Sequence, residues 1–347
     1  METPRSKTLT SEAGAKRRKI LVTGGAGYIG STLVPRLLDA GYDVRVFDKL
    51  IYGDQGLDSV KGQFEMVQGD MLDLPGDLLQ GIDGIIHLAG FSTEPTAHFS
   101  PRLTDLVTHI GTENLAKMAK ANGVKHFVYA STCSVYFTYD TPIVPPLFKE
   151  DDKVNTISPY AITKRSAEQA LLEMVDETFQ PVMFRMGTIY GFSPKMRYDL
   201  VVNSMTKDAF LNGKVNVHAR GNIFRPLLDV QYAASAYIKA LEMPHDETGG
   251  EIFNIVNSNW QLLEFAEELK KWVAENKKKN IDIDVHQTGV ARNYLADDAK
   301  FLRVFKLPPP RDMYAAIGEI WNNLENGHDA ADPRFYTDSW MKKQMGI

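Results

Sequence analysis

At 347 residues, 44% of them hydrophobic, the chain can bury a large core and still carry an attached lobe. A formal charge of -5 argues against nucleic acid as a partner, and no apolar run approaches the roughly 20 residues that cross a bilayer, so no membrane partner is expected. A single cysteine, Cys133, excludes an internal disulfide and fits a reducing compartment, with the cytoplasm as the expected location.

Residues 1–19 end in the basic run Lys16-Arg17-Arg18-Lys19 without an apolar stretch, which excludes a secretory signal. They read as a disordered arm, with a transit peptide as the alternative. From residue 20 to about 180, apolar strands alternate with helical stretches, the pattern of a parallel sheet covered on both faces. Strands are predicted at 20–23, 43–48, 64–68, 84–88, 126–130 and 181–185, with helices at 28–40, 102–122 and 159–179. Beyond residue 185 the rhythm breaks into a loop at 191–198, helices at 200–211 and 229–241, and a strand at 252–256. Two amphipathic helices, 262–275 and 314–325, flank a turn at Pro308-Pro309-Pro310.

The first strand runs into Thr23-Gly24-Gly25-Ala26-Gly27-Tyr28-Ile29-Gly30. Gly24, Gly27 and Gly30 suit a tight turn, backbone approach to a phosphate, and close packing of helix on strand. Tyr28 and Ile29 open a helix whose free N–H groups and partial positive charge face a pyrophosphate. A purely structural glycine turn is the bland alternative, but the second strand ends in Asp48, 18 residues after Gly30. A carboxylate there accepts from a ribose 2′-OH and repels a 2′-phosphate, which selects NAD; the neighbouring Lys49 keeps NADP open. Asp70 and Met71 close the third strand where an adenine can lie, or where an aspartate is merely solvated. Leu88, Ala89 and Gly90 end the fourth with residues small enough for a nicotinamide ribose to rest against the sheet edge.

Tyr160 and Lys164 stand four residues apart at the start of a predicted helix, on one face of it. A phenol is a poor base at pH 7 unless a nearby cation lowers its pKa, which Lys164 and a positively charged nicotinamide supply. A Ser or Thr hydroxyl in Ser131-Thr132 then orients the substrate oxygen. An exposed helix face is the alternative for the Tyr/Lys pair alone; the two preceding motifs argue against it. The fold class is α/β, a Rossmann-type doubly wound parallel sheet with a smaller C-terminal substrate-binding lobe. Residues 20–190 form the NAD-binding domain, joined by a returning stretch at about 226–256, and 191–225 and 257–347 form the lobe. No metal site is expected.

In these residues the chain resembles the extended short-chain dehydrogenase/reductases, in the branch of nucleotide-sugar epimerases and dehydratases. The resemblance covers about residues 19–340. It rests on Thr23–Gly30, Asp48, Gly69-Asp70, His87-Leu88-Ala89, Gly111–Leu115, Ser131-Thr132 before Val135-Tyr136, Tyr160 with Lys164, Arg185, Tyr190-Gly191, and Gly221-x-x-x-Arg225 leading into Leu228-Asp229-Val230. It implies that Thr132 is the active-site hydroxyl and that Arg225 grips a sugar-nucleotide diphosphate, for which a planar guanidinium suits. Arg292 lies near a second diphosphate arginine, and Arg197 and Asp199 either face the nucleotide or sugar or pair with each other in a loop. Cys133-Ser134 replace the acidic residues that dehydratases and decarboxylases of this branch carry, and Thr108 and Thr188 stand where many members have Asn. Ser134 and Cys133 therefore border the substrate, and Cys133 reads as an acid/base or nucleophile, or as a small buried hydrophobe.

The resemblance implies an NAD-dependent epimerase of a nucleoside-diphosphate sugar, at C4 through a keto sugar. A net NAD(P)-dependent oxidoreductase or dehydratase on a nucleotide-linked keto sugar, and a non-catalytic cofactor-binding scaffold, are the alternatives. It also implies a homodimer built on the helices at 102–122 and 159–179, through Leu103, Leu106, Val107, Ile110, Leu115, Met118, Ala167, Ala170, Leu171 and Met174.

Overall fold

The computed structural model describes residues 17–137, 143–154, 156–287 and 292–346, so the predicted arm lies almost wholly outside the described residues. Seven strands form one parallel sheet: β1 (Lys19–Thr23), β2 (Asp43–Asp48), β3 (Glu65–Gln68), β4 (Gly84–His87), β5 (His126–Thr132), β6 (Val182–Met186) and β7 (Ile252–Ile255). Their order is β7-β6-β5-β4-β1-β2-β3. Ile20, Leu21 and Val22 are fully buried, as expected of a strand covered on both faces. The order reverses between β1 and β4, and the crevice at the carboxyl ends of these strands is where such sheets bind ligands. β5 runs two residues past the predicted end, which carries Ser131 and Thr132 to that crevice.

The helices on the sheet include α1 (Gly30–Asp39), α2 (Glu94–Phe99), α3 (Gly111–Ala121), α4 (Pro159–Glu173) and α5 (Val230–Glu242). Helix α1 starts two residues later than predicted, because Gly27 N donates to Gly24 O at 3.1 Å and keeps Tyr28 and Ile29 in the turn. The stretch predicted as one helix at 102–122 instead contains a π turn, Asp105–Ile110, between Pro101–Thr104 and α3. Thr108, buried in that turn, accepts a hydrogen bond from Phe91 N at 3.1 Å and so holds the loop after β4. Helix α4 ends at Glu173, six residues short of the predicted end.

The lobe contains a three-stranded sheet (Thr188–Tyr190, Phe224–Asp229, Ser258–Gln261) and the helices Val201–Asn212, Leu262–Lys277 and Met313–Glu325 around the fully buried Trp321. The tail does not stay in it. Ala299–Phe305 stacks Phe301 on Phe305, centroids 4.5 Å apart, and both rings meet Phe184 of β6 in the main core. Thr337–Met345 crosses back over the sheet's edge: Trp340 Nε1 donates to Ile51 O at 2.7 Å, and Thr93 and Thr96 hydroxyls donate to Asp338 Oδ1 at 2.5 and 2.8 Å. Aromatic burial and these bonds draw to the first domain two segments that the sequence placed in the lobe.

Helix α4 is fastened to the sheet by a fully buried ion pair. Arg185 of β6 donates from Nε and Nη2 to the two oxygens of Glu168 at 2.9 and 2.8 Å, and Ser131 Oγ donates to Oε1 at 2.5 Å. Burial acts to raise the Glu168 pKa, but the Arg185 fork and charge outweigh it and hold the carboxyl below its ordinary value. Removing Arg185 leaves the Glu168 charge buried with only the part-exposed Arg165, 2.7 Å from its Oε2, as a cation partner. Arg185→Met should therefore destabilise the protein by about 3–5 kcal/mol in guanidinium denaturation, and the double change with Glu168→Leu should recover most of that loss.

Candidate active site

Helix α4 carries three groups at four-residue spacing, all turned to the end of β5. Ser158 caps it, its hydroxyl accepting from Ala161 N at 3.2 Å, and Pro159 takes the first helical position, where its missing N–H is harmless. One turn in, the half-buried Tyr160 meets the Thr132 hydroxyl. A second turn brings Lys164 Nζ to Ala130 O at 2.7 Å, over the Tyr129 ring at 4.9 Å. The third is Glu168 on Ser131. Thus the predicted Thr132, Tyr160 and Lys164 converge, and Glu168, which the sequence reading missed, was legible as the next residue of the same i, i+4 row.

The charges here differ from the expectation. Burial pushes the Tyr160 phenol up to about 12, reinforced by the charge of Glu94 and offset by the Thr132 hydroxyl and Arg197. Burial also pulls Lys164 down to about 8, against the opposing charge of Glu168. The polypeptide alone does not bring the phenol toward neutrality; the cation expected from a bound nicotinamide has to supply that.

The cofactor groove fits a dinucleotide. Gly24 adopts φ +69°, and a Cβ on it would meet Ala89 N at 2.7 Å; a Cβ on Gly30 would meet Gly25 O at 2.3 Å. At Gly27 a Cβ would meet only Gly24 O, at 3.1 Å, so the loop is open where a phosphate would approach. No side chain caps α1, but the N–H groups of Ser31, Thr32 and Leu33 already bond to Gly27 O and Ile29 O, so an anion would meet the turn that leads into the helix. Asp48 accepts from Ala26 N at 3.0 Å and Leu50 N at 2.8 Å, which ties the end of β2 to the glycine loop. Leu88, Ala89 and Gly90 are partly exposed along the β4 edge.

Three predicted contacts are placed differently. Lys49 Nζ pairs with Asp70 Oδ2 at 2.5 Å, which weakens the case for a 2′-phosphate partner and occupies the carboxylate assigned to adenine. The Met71 side chain is buried in the core against Gly111 rather than facing the groove. Tyr28 turns its phenol to the lobe, donating to Gly191 O at 2.6 Å. A further group joins the groove from the lobe: Lys195, 4% exposed, stands 4.1 Å over the Tyr52 ring within the field of Asp48, and burial and Arg197 pull it down to about 7. Its signal in the sequence was a lone lysine in a loop.

On the substrate side, Ser134 Oγ meets Tyr294 OH at 3.1 Å, and Arg225 stacks over the Tyr294 ring at 5.6 Å. Burial and the charge of Arg292 pull Arg225 down to about 10, and among the described residues no carboxylate pairs with it. Arg197 and Asp199 form a bidentate pair, both bonds 3.0 Å, close enough for Arg197 to act on Tyr160. Cys133 takes the second of its two readings, the small buried residue: it is fully buried, donates to Arg185 O at 3.1 Å, and its thiol is pushed up by burial.

Fold and site together define a dinucleotide-dependent enzyme of the tyrosine/lysine type. The chain belongs to the NAD dependent epimerase/dehydratase family, whose model matches residues 20–256. It is 26% identical over 352 residues to a UDP-glucose 4-epimerase of Bacillus subtilis, across 90% of this chain and 99% of that one. It is 29% identical over 288 residues to a putative UDP-arabinose 4-epimerase of Arabidopsis thaliana, across 73% and 67%. In fold it is similar to UDP-glucuronic acid 4-epimerase from Bacillus cereus, solved with UDP-glucuronic acid and NAD: TM-score 0.78, 23% identity, 89% of this chain and 100% of that one.

Because the folded-state pKa of Lys164 lies below its ordinary 10.5, the protonated amine is disfavoured in the fold. That penalty is complete below about 8 and fades as pH climbs from there toward 10.5. The parent should therefore gain stability as pH rises from about 8 toward 10 in thermal melts, and Lys164→Met should lose that rise.

Proposed function

We propose that this protein is an NAD-dependent epimerase of a nucleoside-diphosphate sugar, acting at C4 through a keto-sugar intermediate. The observation that carries the reading is Arg225, a buried guanidinium that no carboxylate among the described residues pairs with, joined through Tyr294 to the field of Tyr160. A diphosphate is the partner such a group lacks, and it would leave the attached sugar beside the phenol. NAD, held along the glycine loop and the ends of β2 and β4, would supply the hydride acceptor and donor for the sugar carbon. Tyr160 takes the proton of the sugar hydroxyl at Oη and gives it back after the sugar has turned. Thr132 orients that hydroxyl, and Lys164 favours the phenolate. Arg225 holds the diphosphate fixed while the keto sugar presents its other face. The first relatives compared above are 4-epimerases by name, which supports the choice of carbon.

The reading includes the cytoplasm, on the strength of the lone Cys133, and a homodimer through the outer faces of α4 and the helix ahead of it. Leu103, Leu106, Ile110 and Ala170 are half-buried there; Val107, Met118 and Met174 are half-buried but pack against the protein's own core, in which Leu115, Ala167 and Leu171 are spent. Ala170→Arg should then convert a dimer to monomers in light scattering; a monomeric parent would overturn the dimer. For the chemistry, Tyr160→Phe should fold and retain NAD, yet lose on the order of 10² or more in turnover across a panel of nucleotide sugars. Near-parental rates would remove Tyr160 as the base.

A further inference from the structure

Glu94 belongs to none of the sequence motifs, yet it lies against the catalytic tyrosine. It opens α2, in the loop that follows β4, and is 6% exposed. Ser158 Oγ donates to its Oε1 at 2.5 Å, while Oε2 is buried with no hydrogen-bond partner among the described residues. Burial raises its pKa, against the Ser158 hydroxyl, the charges of Arg292 and His98, and the Tyr160 backbone N–H. Its own charge in turn raises the Tyr160 phenol.

Service to helix α4 accounts for only part of this carboxylate: the Ser158 hydroxyl and the Tyr160 backbone N–H reach it from the start of the helix, yet Oε2 keeps no hydrogen-bond partner among the described residues. Ser158 already caps the helix with its own hydroxyl, on Ala161 N. A buried acceptor without a donor is destabilising, and more so when charged. The missing donor has to reach a point beside Tyr160 and within the field of Arg292, which is the side from which a substrate enters under the proposed function.

We propose that Glu94 Oε2 accepts a hydrogen bond from the C6 hydroxyl of the sugar, beside the C4 hydroxyl that Tyr160 deprotonates, so that Glu94 selects neutral hydroxylated sugars over uronates. The inference rests on the nucleotide-sugar reading. A hydroxyl supplies the missing donor. A sugar carboxylate in its place would set two anions side by side in a closed site, where one must take a proton before both can stay.

Calorimetry on the NAD-loaded protein tests this with three probes: UDP, UDP-glucose and UDP-glucuronic acid. The parent should prefer UDP-glucose to UDP-glucuronic acid by tenfold or more, the scale of a hydrogen bond to a charged group. Glu94→Gln, which keeps shape and the Ser158 contact, should weaken UDP-glucose, strengthen UDP-glucuronic acid and cut that preference at least tenfold. A merely structural role would move both sugars together and leave their ratio intact, and that result overturns the assignment, as does a parent without the preference. With UDP still bound, only the Glu94 inference falls. If the parent fails to bind UDP, the UDP-sugar form of the proposed function falls with it.

Discussion

The contact between Glu168 and Arg185 fixes where the chemistry can happen. A helix resting on a sheet through apolar side chains alone can slide and rotate by fractions of an ångström at little expense. A bidentate ion pair with no exposed surface cannot, because any shift strands a charge in a medium of low dielectric. Glu168 sits one turn from Lys164 and two from Tyr160, so the same restraint sets the height and rotation of all three on β5. The four-residue repeat turns one structural anchor into a positioned base.

The electrostatics of the closed site have a common pattern. Tyr160 is held as a neutral phenol, and Lys164, Lys195 and Arg225 are all drawn below their ordinary pKa values, first by burial. Anionic ligands would reverse the shifts of Lys195 and Arg225, and a ring cation would reverse that of Tyr160. The polypeptide has thus taken on desolvation in advance, and the ligands would meet groups already stripped of water. The Glu94 carboxylate follows the same pattern with the opposite sign.

The parallel sheet, the glycine loop and the Tyr160/Lys164 pair were legible because each depends on local sequence: alternating apolar runs, a glycine demanded by φ +69° at position 24, and an i, i+4 spacing. The π turn at Asp105–Ile110 was not, since it depends on Thr108 reaching a loop that is distant in sequence. The placement of Cys133 and Met71 was not legible either, for a related reason. Their neighbours along the chain border the crevice, but both residues lie past the strand ends, where the packing of distant segments decides which side chains face it. Glu94, Lys195 and the returning Thr337–Met345 come together only through long-range contacts, and no periodicity announces such contacts.

The crossing of Thr337–Met345 bears on how the protein is made. Trp340 and Asp338 bridge the loop after β2 and the loop after β4, two of the walls of the dinucleotide groove. On the ribosome, the glycine loop emerges about 300 residues before these contacts can form, and β7 about 80. The domain that looks self-sufficient in sequence therefore keeps an unfinished rim until Thr337–Met345 has emerged and brings the two loops together.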